Sequence, residues 1–175
     1  MQSTLTRILN IPALDRIRRN HGLEHATIHL LAPRGGKRVL VGRSDADGFY
    51  LYGNVTTEEV EQATNNALNR LRAGEHHLAI HPNCGTNLLT AGLLSGLAAF
   101  VSMGGMRRQD SWQDRLLRLP TAILLTTMAL IVAQPLGTAA QRHLTTDGDP
   151  ADLEIAEIRP LSVSGQTIHR VRTIH

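Results

Sequence analysis

Residues 87–106 read NLLTAGLLSGLAAFVSMGGM, and residues 119–141 read LPTAILLTTMALIVAQPLGTAAQ. No Asp, Glu, Lys or Arg stands between Glu75 and Arg107, nor between Arg118 and Arg142. A membrane span needs about 20 predominantly apolar residues, and both runs reach that length despite their Thr, Ser and Gly. A pair of buried helices in a soluble protein has a similar composition. Gly92 and Gly96 favour the bilayer instead, because small residues four apart let helices approach closely in lipid. The expectation is a transmembrane hairpin with spans at about 87–106 and 119–138, its Gly92/Gly96 face open to a homo-oligomer.

Outward from the hairpin, residues 107–118 hold four Arg against Asp110 and Asp114, with Trp112 and Arg115 suited to interfacial anchoring. The positive-inside tendency draws this linker toward the cytoplasm, yet that would carry the amino-terminal part across without a signal. Residues 1–20 contain Arg7, Arg16, Arg18 and Arg19 and no clean apolar core, so no secretory signal is read there. Both termini are therefore expected in the cytoplasm of a multi-pass bacterial membrane protein. The single cysteine excludes an internal disulfide. A net charge of +3, with no basic stripe interleaved with aromatics, argues against nucleic acid as a partner.

The remaining chain predicts an α+β fold: an αββαβ-like domain over residues 1–86, the hairpin over 87–141, and a β segment over 142–175 packing back on the first domain. Residues 11–32 carry apolar positions at helical spacing behind Pro12, and Pro33-Arg-Gly-Gly ends that helix. Residues 37–42 and 48–55 read as strands joined by Ser-Asp-Ala-Asp-Gly. Thr56 and Glu59 form a capping-box pattern for a second helix to about Ala73. Residues 77–81 read as a short strand or extended entry. Residues 153–159 and 166–174 pair through Ser164-Gly165 as a closing hairpin. Tyr50 and Tyr52 alternate along a strand and share a face.

Two short motifs carry the chemistry. In His21-Gly-Leu-Glu24-His25, helical spacing brings His21, Glu24 and His25 to one side, where two imidazoles can clamp a metal ion. A carboxylate beside them can serve as general base, making Glu24 the candidate catalytic residue. His29 continues that face one turn later. His81-Pro-Asn-Cys84 has metal-knuckle spacing and holds the chain's cysteine, so His21, His25, His81 and Cys84 are the candidate ligands, with zinc the expected ion. A buried cysteine acting as a small hydrophobe is the alternative for Cys84. His76 and His77 read as solvent-facing, and His143, His169 and His175 as incidental. Haem ranks last, because there is no Cys-x-x-Cys-His and no histidine lies inside either span.

The stretch Arg19-Asn-His-Gly-Leu-Glu-His-Ala-Thr-Ile-His29, combined with Gly74-Glu-His-His-Leu-Ala-Ile-His-Pro-Asn-Cys-Gly-Thr-Asn87, closely resembles a bacterial membrane-protein family of unknown function, the domain-of-unknown-function 6391 type. It is also similar to a wider family of multi-spanning proteins held to be metal-dependent enzymes, the domain-of-unknown-function 1385 type. Those carry His-Gly-Ala-Glu-His-Lys and His-Pro-Arg-Cys-Gly-Thr-Ser before a membrane helix. Gln141-Arg-His-Leu-Thr-Thr, followed by Leu153-Glu-Ile-Ala, is similar to the end of that wider family. The resemblance implies a metal and marks His21, Glu24, His25, His81 and Cys84 as the site, with Glu24 beside the ligands rather than among them. The chain departs at Leu23, Ala26, Asn83 and Asn87; the basic residues missing at Ala26 and Asn83 weaken the case for a shared anionic substrate.

Two functions follow. Three protein ligands and an open position suit a zinc-dependent hydrolase at the membrane surface, with Glu24 as base. Four protein ligands close a tetrahedral shell and suit a structural or regulatory metal module, with Glu24 orienting an imidazole. The hydrolase is the leading expectation and the metal module the alternative, although a count of four candidate ligands weakens the enzyme case. A hydrolase of the inverzincin kind also wants a downstream carboxylate ligand, and neither Glu75 nor the acids of residues 56–61 have a diagnostic setting.

Overall fold

The computed structural model describes residues 11–32, 39–104, 111–163 and 166–175. The Pro33-Arg-Gly-Gly stop, the Lys37 strand start, the basic pair Arg107 and Arg108 and the Ser164-Gly165 turn lie outside the described residues. The chain forms two compact units, residues 1–81 with 142–175, and residues 82–141.

The first unit is α+β. In chain order it contains α1 (Pro12–Leu31), β1 (Val41–Asp45), β2 (Gly48–Tyr52), α2 (Thr57–Arg72), a 3₁₀ turn (His76–Ala79), β3 (Glu154–Val163) and β4 (Gln166–Ile174). The strands make one antiparallel sheet in the order β1-β2-β4-β3. Pro12 stands in the first turn of α1, where its missing N–H costs nothing. Every residue from Gly22 to Ile28 is buried, so the middle of α1 is enclosed all round. It packs against α2, β1, β2 and the 3₁₀ turn. Along α2, Val60, Ala63, Thr64, Ala67, Leu68 and Leu71 recur every three or four residues and are buried. Thr56 and Glu59 complete the expected capping box.

Period-two alternation sorts β2. Phe49 and Leu51 are fully buried, whereas Tyr50 and Tyr52 share the other face and are half-buried. Leu51 stands opposite His169 and Tyr50 opposite Arg170. The Arg170 guanidinium lies 4.4 Å from the Tyr50 ring centre and donates to both carboxylate oxygens of Asp45. That pairing closes the second face of the sheet. Gly48, which ends the β1–β2 turn, has φ +132°, and a Cβ there would stand 2.0 Å from the Val171 carbonyl oxygen. Only glycine meets both demands.

Two expectations are corrected. Residues 77–81 do not form a strand: Leu78 N donates to Glu75 O and Ile80 N to His77 O, making a 3₁₀ turn instead. β1 begins at Val41, so it takes up only the end of the expected first strand. His169, expected to lie outside the site, is fully buried on the core face, its Nε2 3.2 Å from Thr57 Oγ1.

The second unit contains α3 (Gly85–Met103), α4 (Trp112–Leu117) and α5 (Leu119–Ala140), with α3 against α5. α5 runs on into a π-helical turn, Gln141–Thr145. α3 and the continuous stretch Leu119–Thr145 are 19 and 27 residues long and apolar enough to cross a membrane. No residue of α3 is buried, and in α5 only Ala133 and Gly137 are. A core helix of a soluble protein hides its apolar side chains; here Leu89 is 73% and Phe100 76% exposed. A Cβ built on Gly92 or Gly96 meets no atom within 4 Å, so neither glycine serves the α3–α5 contact.

Candidate metal centre

Three imidazoles leave α1 one turn apart. His21 and His25 have ring centres 4.3 Å apart, and His81, beyond the 3₁₀ turn, lies 5.7 Å from His25 and 4.9 Å from His29. Spacing of four residues stacks the α1 histidines on one face, and the 3₁₀ turn packs on that helix.

Backbone carbonyls orient each ring. Thr145 O lies 2.9 Å from His21 Nδ1, Ala79 O lies 2.6 Å from His25 Nδ1, and Ile80 O lies 2.9 Å from His29 Nε2. A carbonyl only accepts, so each of these nitrogens carries the proton in the neutral ring. The lone pair of His21 and of His25 is thereby placed on Nε2, and that of His29 on Nδ1. Such a carbonyl–imidazole arrangement is the outer shell that metal-ligating histidines use to fix tautomer and ring angle. Burial, reinforced by His25 and His29, pushes the His81 imidazole down to about 4, so it stays in the neutral, ligating form at ordinary pH.

The carbonyls are held in place by the chain around them. Asp147 N donates to Arg18 O, Arg18 donates to Thr146 O, and the Arg18 guanidinium pairs with Asp147 at 3.6 Å. Together they strap residues 145–147 along α1. The strap passes so close that a Cβ on Gly22 would stand 2.0 Å from Asp147 O.

Glu24 is buried and turned toward β1. It accepts a hydrogen bond from Ser44 Oγ, and its carboxylate fills the space a side chain on Gly42 would need. Burial pushes its carboxyl up, opposed by the Ser44 hydrogen bond and by nearby His21.

Cys84 belongs to the second unit, three residues beyond His81. It is buried and caps α3 by accepting a hydrogen bond from Thr86 N at 3.4 Å. A helix N-terminus with an amide donor on the sulfur is complementary to negative charge. His76 and His77 are exposed, as the sequence suggests.

Sequence reading names the imidazoles but misses what orients them. Thr145, Ala79 and Ile80 act through backbone oxygens, which leave no residue-type signal. Ser44 and Gly42 touch Glu24 across 18 to 20 positions of chain, and only the tertiary structure joins them.

The family described as "Domain of unknown function (DUF6391)" matches residues 16–158. The chain belongs to this family. The match takes in α1, the 3₁₀ turn, both apolar helices and the strap of residues 145–147. The chain is also similar to an uncharacterised protein of Picosynechococcus sp., 35% identical over 189 residues, covering 98% of this chain and 87% of that protein. No solved structure matches.

Proposed function

We propose that this chain is a membrane-embedded metal-binding protein whose ion is held by His21, His25, His81 and Cys84. The observation that carries this reading is the pair of backbone carbonyls, Thr145 O and Ala79 O, that fix His21 and His25 with both lone pairs on Nε2. A buried imidazole N–H wants an acceptor in any core, but two imidazoles on one helix face, both with the lone pair on Nε2, are also the arrangement a metal site uses. Cys84 joins because only two residues separate it from His81, which limits their Cα atoms to about 11 Å. Imidazole and thiolate together suit zinc. The exposed apolar lengths of α3 and α5 support placement in a bilayer, with its boundary near Cys84.

Four protein ligands give a closed site, and the role that follows is structural or regulatory. A second reading, a metal-dependent hydrolase, is favoured by Glu24, a buried carboxylate one helical turn from His21 that accepts a hydrogen bond from Ser44 Oγ. Similarity to the wider domain-of-unknown-function 1385 type points the same way. A divalent ion with an open position supplies Lewis acidity and an activated water. In that case His21, His25 and His81 would hold the ion, Glu24 would accept a proton, and Cys84 would not be a ligand.

The test is the metal content of the detergent-purified protein beside His25→Ala, Cys84→Ser and Glu24→Gln. A zinc ion per chain that is lost in the first two variants and kept in the third supports the four-ligand site. Zinc kept in Cys84→Ser moves the balance to the hydrolase. Absence of metal from the unaltered chain, or metal indifferent to His25→Ala, overturns both readings.

A further inference from the structure

Between α3 and α5 the second unit contains a groove of about 670 Å³, lined by Pro82, Asn83, Asn87, Leu88, Ala91, Leu130, Ala133, Gln134 and Thr138. That volume lies within the range of small-molecule sites. Its lining is sorted by polarity along the antiparallel pair. Asn83 and Asn87 at the start of α3 face the end of α5, which contributes Gln134 and Thr138; deeper in, only Leu88, Ala91, Leu130 and Ala133 remain. Among the described residues, none that lines the groove is charged. Leu88 is 71% and Leu130 47% exposed, so the groove opens sideways onto the apolar surface of the unit.

The polar end is built rather than accidental. Asn87 Nδ2 donates to Pro82 O at 2.7 Å, which fixes the amide, and Gly137 makes the room, since a Cβ there would stand 2.5 Å from Asn87 Oδ1. The Asn83 and Gln134 amides and the second N–H of Asn87 are hydrogen-bonding groups without net charge, and the Thr138 hydroxyl, which donates to Gln134 O, still accepts. They match hydroxyl or amide groups, while an ion would leave its charge uncompensated in a low-dielectric wall.

We propose that this groove binds a single-chain stretch of a neutral, hydroxyl-bearing lipid of the acylglycerol or glycolipid class. Its uncharged head sits among Asn83, Asn87, Gln134 and Thr138, and its alkyl chain runs toward Ala91 and Leu130. The inference rests on the reading that α3 and α5 are in a bilayer. It is independent of the metal.

The full chain is first tested in its own membranes: retention after alkaline carbonate upholds the bilayer premise, and release overturns that premise and the proposal with it. The retained protein is then placed in phosphatidylcholine nanodiscs with a monoacylglycerol carrying a photoactivatable chain, and crosslinks are mapped. Labelling should concentrate on residues 87–91 and 130–138. Unlabelled monoacylglycerol should compete, and an alkyl sulfate or alkyl trimethylammonium of equal chain length should not. Gln134→Leu, and separately Ala91→Phe, which fills the groove without touching the polar end, should each cut labelling by about tenfold. Leu124→Phe, exposed on α5 outside the groove, should leave it unchanged. Labelling spread evenly over both helices, or equal competition by the charged amphiphiles, overturns the groove while leaving the bilayer reading intact.

Discussion

Two glycines on the faces of the site differ in what a methyl group would meet, and that difference is a prediction. A Cβ on Gly22 strikes the Asp147 carbonyl, which is backbone held by Arg18 from both sides. Overpacking of this kind typically costs about 1–3 kcal/mol. Gly22→Ala should therefore lower the unfolding free energy by about that much, measured by chemical denaturation in detergent. It should also weaken zinc binding by about 10- to 100-fold, because moving residues 145–147 takes the Thr145 carbonyl off His21. A Cβ on Gly42 strikes the end of the Glu24 side chain, which can swing. Gly42→Ala should accordingly cost less stability, leave zinc affinity close to that of the unaltered chain, and displace the carboxylate. Equal losses of metal in the two variants would show that the strap does not set the histidine geometry.

At the scale of elements, α2 and β4 meet at one buried titratable group. His169 lies on the core face of β4, touches Thr57 at the start of α2, and has its ionisation pushed down by burial, against a smaller upward pull from Glu58. The folded state then binds fewer protons than the unfolded chain. Stability is complete above the ordinary histidine value of about 6.5 and falls as pH drops through it toward the lower folded value. His169→Gln should flatten that acid limb of the denaturation curve without removing metal. Thr56→Ala, which removes the capping-box acceptor for Glu59 N at the same helix start, should cost about 1 kcal/mol at every pH. These elements also show what the sequence discloses. Periodic stretches and caps, such as α1, α2 with Thr56 and Glu59, and the paired β3–β4, are legible because their signal is local. The 3₁₀ turn at His76–Ala79 is not, since histidines and small apolar residues suit an extended entry equally until Glu75 and His77 carbonyls are placed. His169 is likewise illegible: alternation puts it on a face, but only the pairing with Leu51 makes that face the core. The candidate imidazoles could be named from spacing; the oxygens that aim them could not.

At the scale of the molecule, the first unit is discontinuous, and its sheet depends on the return of the chain. β4 is the strand between β2 and β3, so residues 1–81 alone leave β2 paired only with β1, and Phe49 and Leu51 without Val171 and Leu153 in the shared core. Burying such side chains contributes about 1.5–3 kcal/mol each, comparable in sum with the whole stability of a small domain. A fragment ending at residue 86 should therefore fail to fold, however well its helices read. Joining residue 86 to residue 142 by a flexible Gly/Ser linker should restore the fold. Within the unit, His81 lies beside His25, His25 beside His21, and Thr145 O against His21, so the gap is short. About ten linker residues reach roughly 17 Å and suffice. The joined protein loses the exposed apolar surface of α3 and α5, and it should be soluble without detergent, with dispersed amide resonances and a cooperative melt. It retains His21, His25, His81 and Cys84 but lacks α3, which Cys84 caps. If it takes up zinc as the full chain does, the ligand set is intrinsic to the first unit. If it folds and takes up none, the proposed site needs more than residues 1–86 and 142–175 provide.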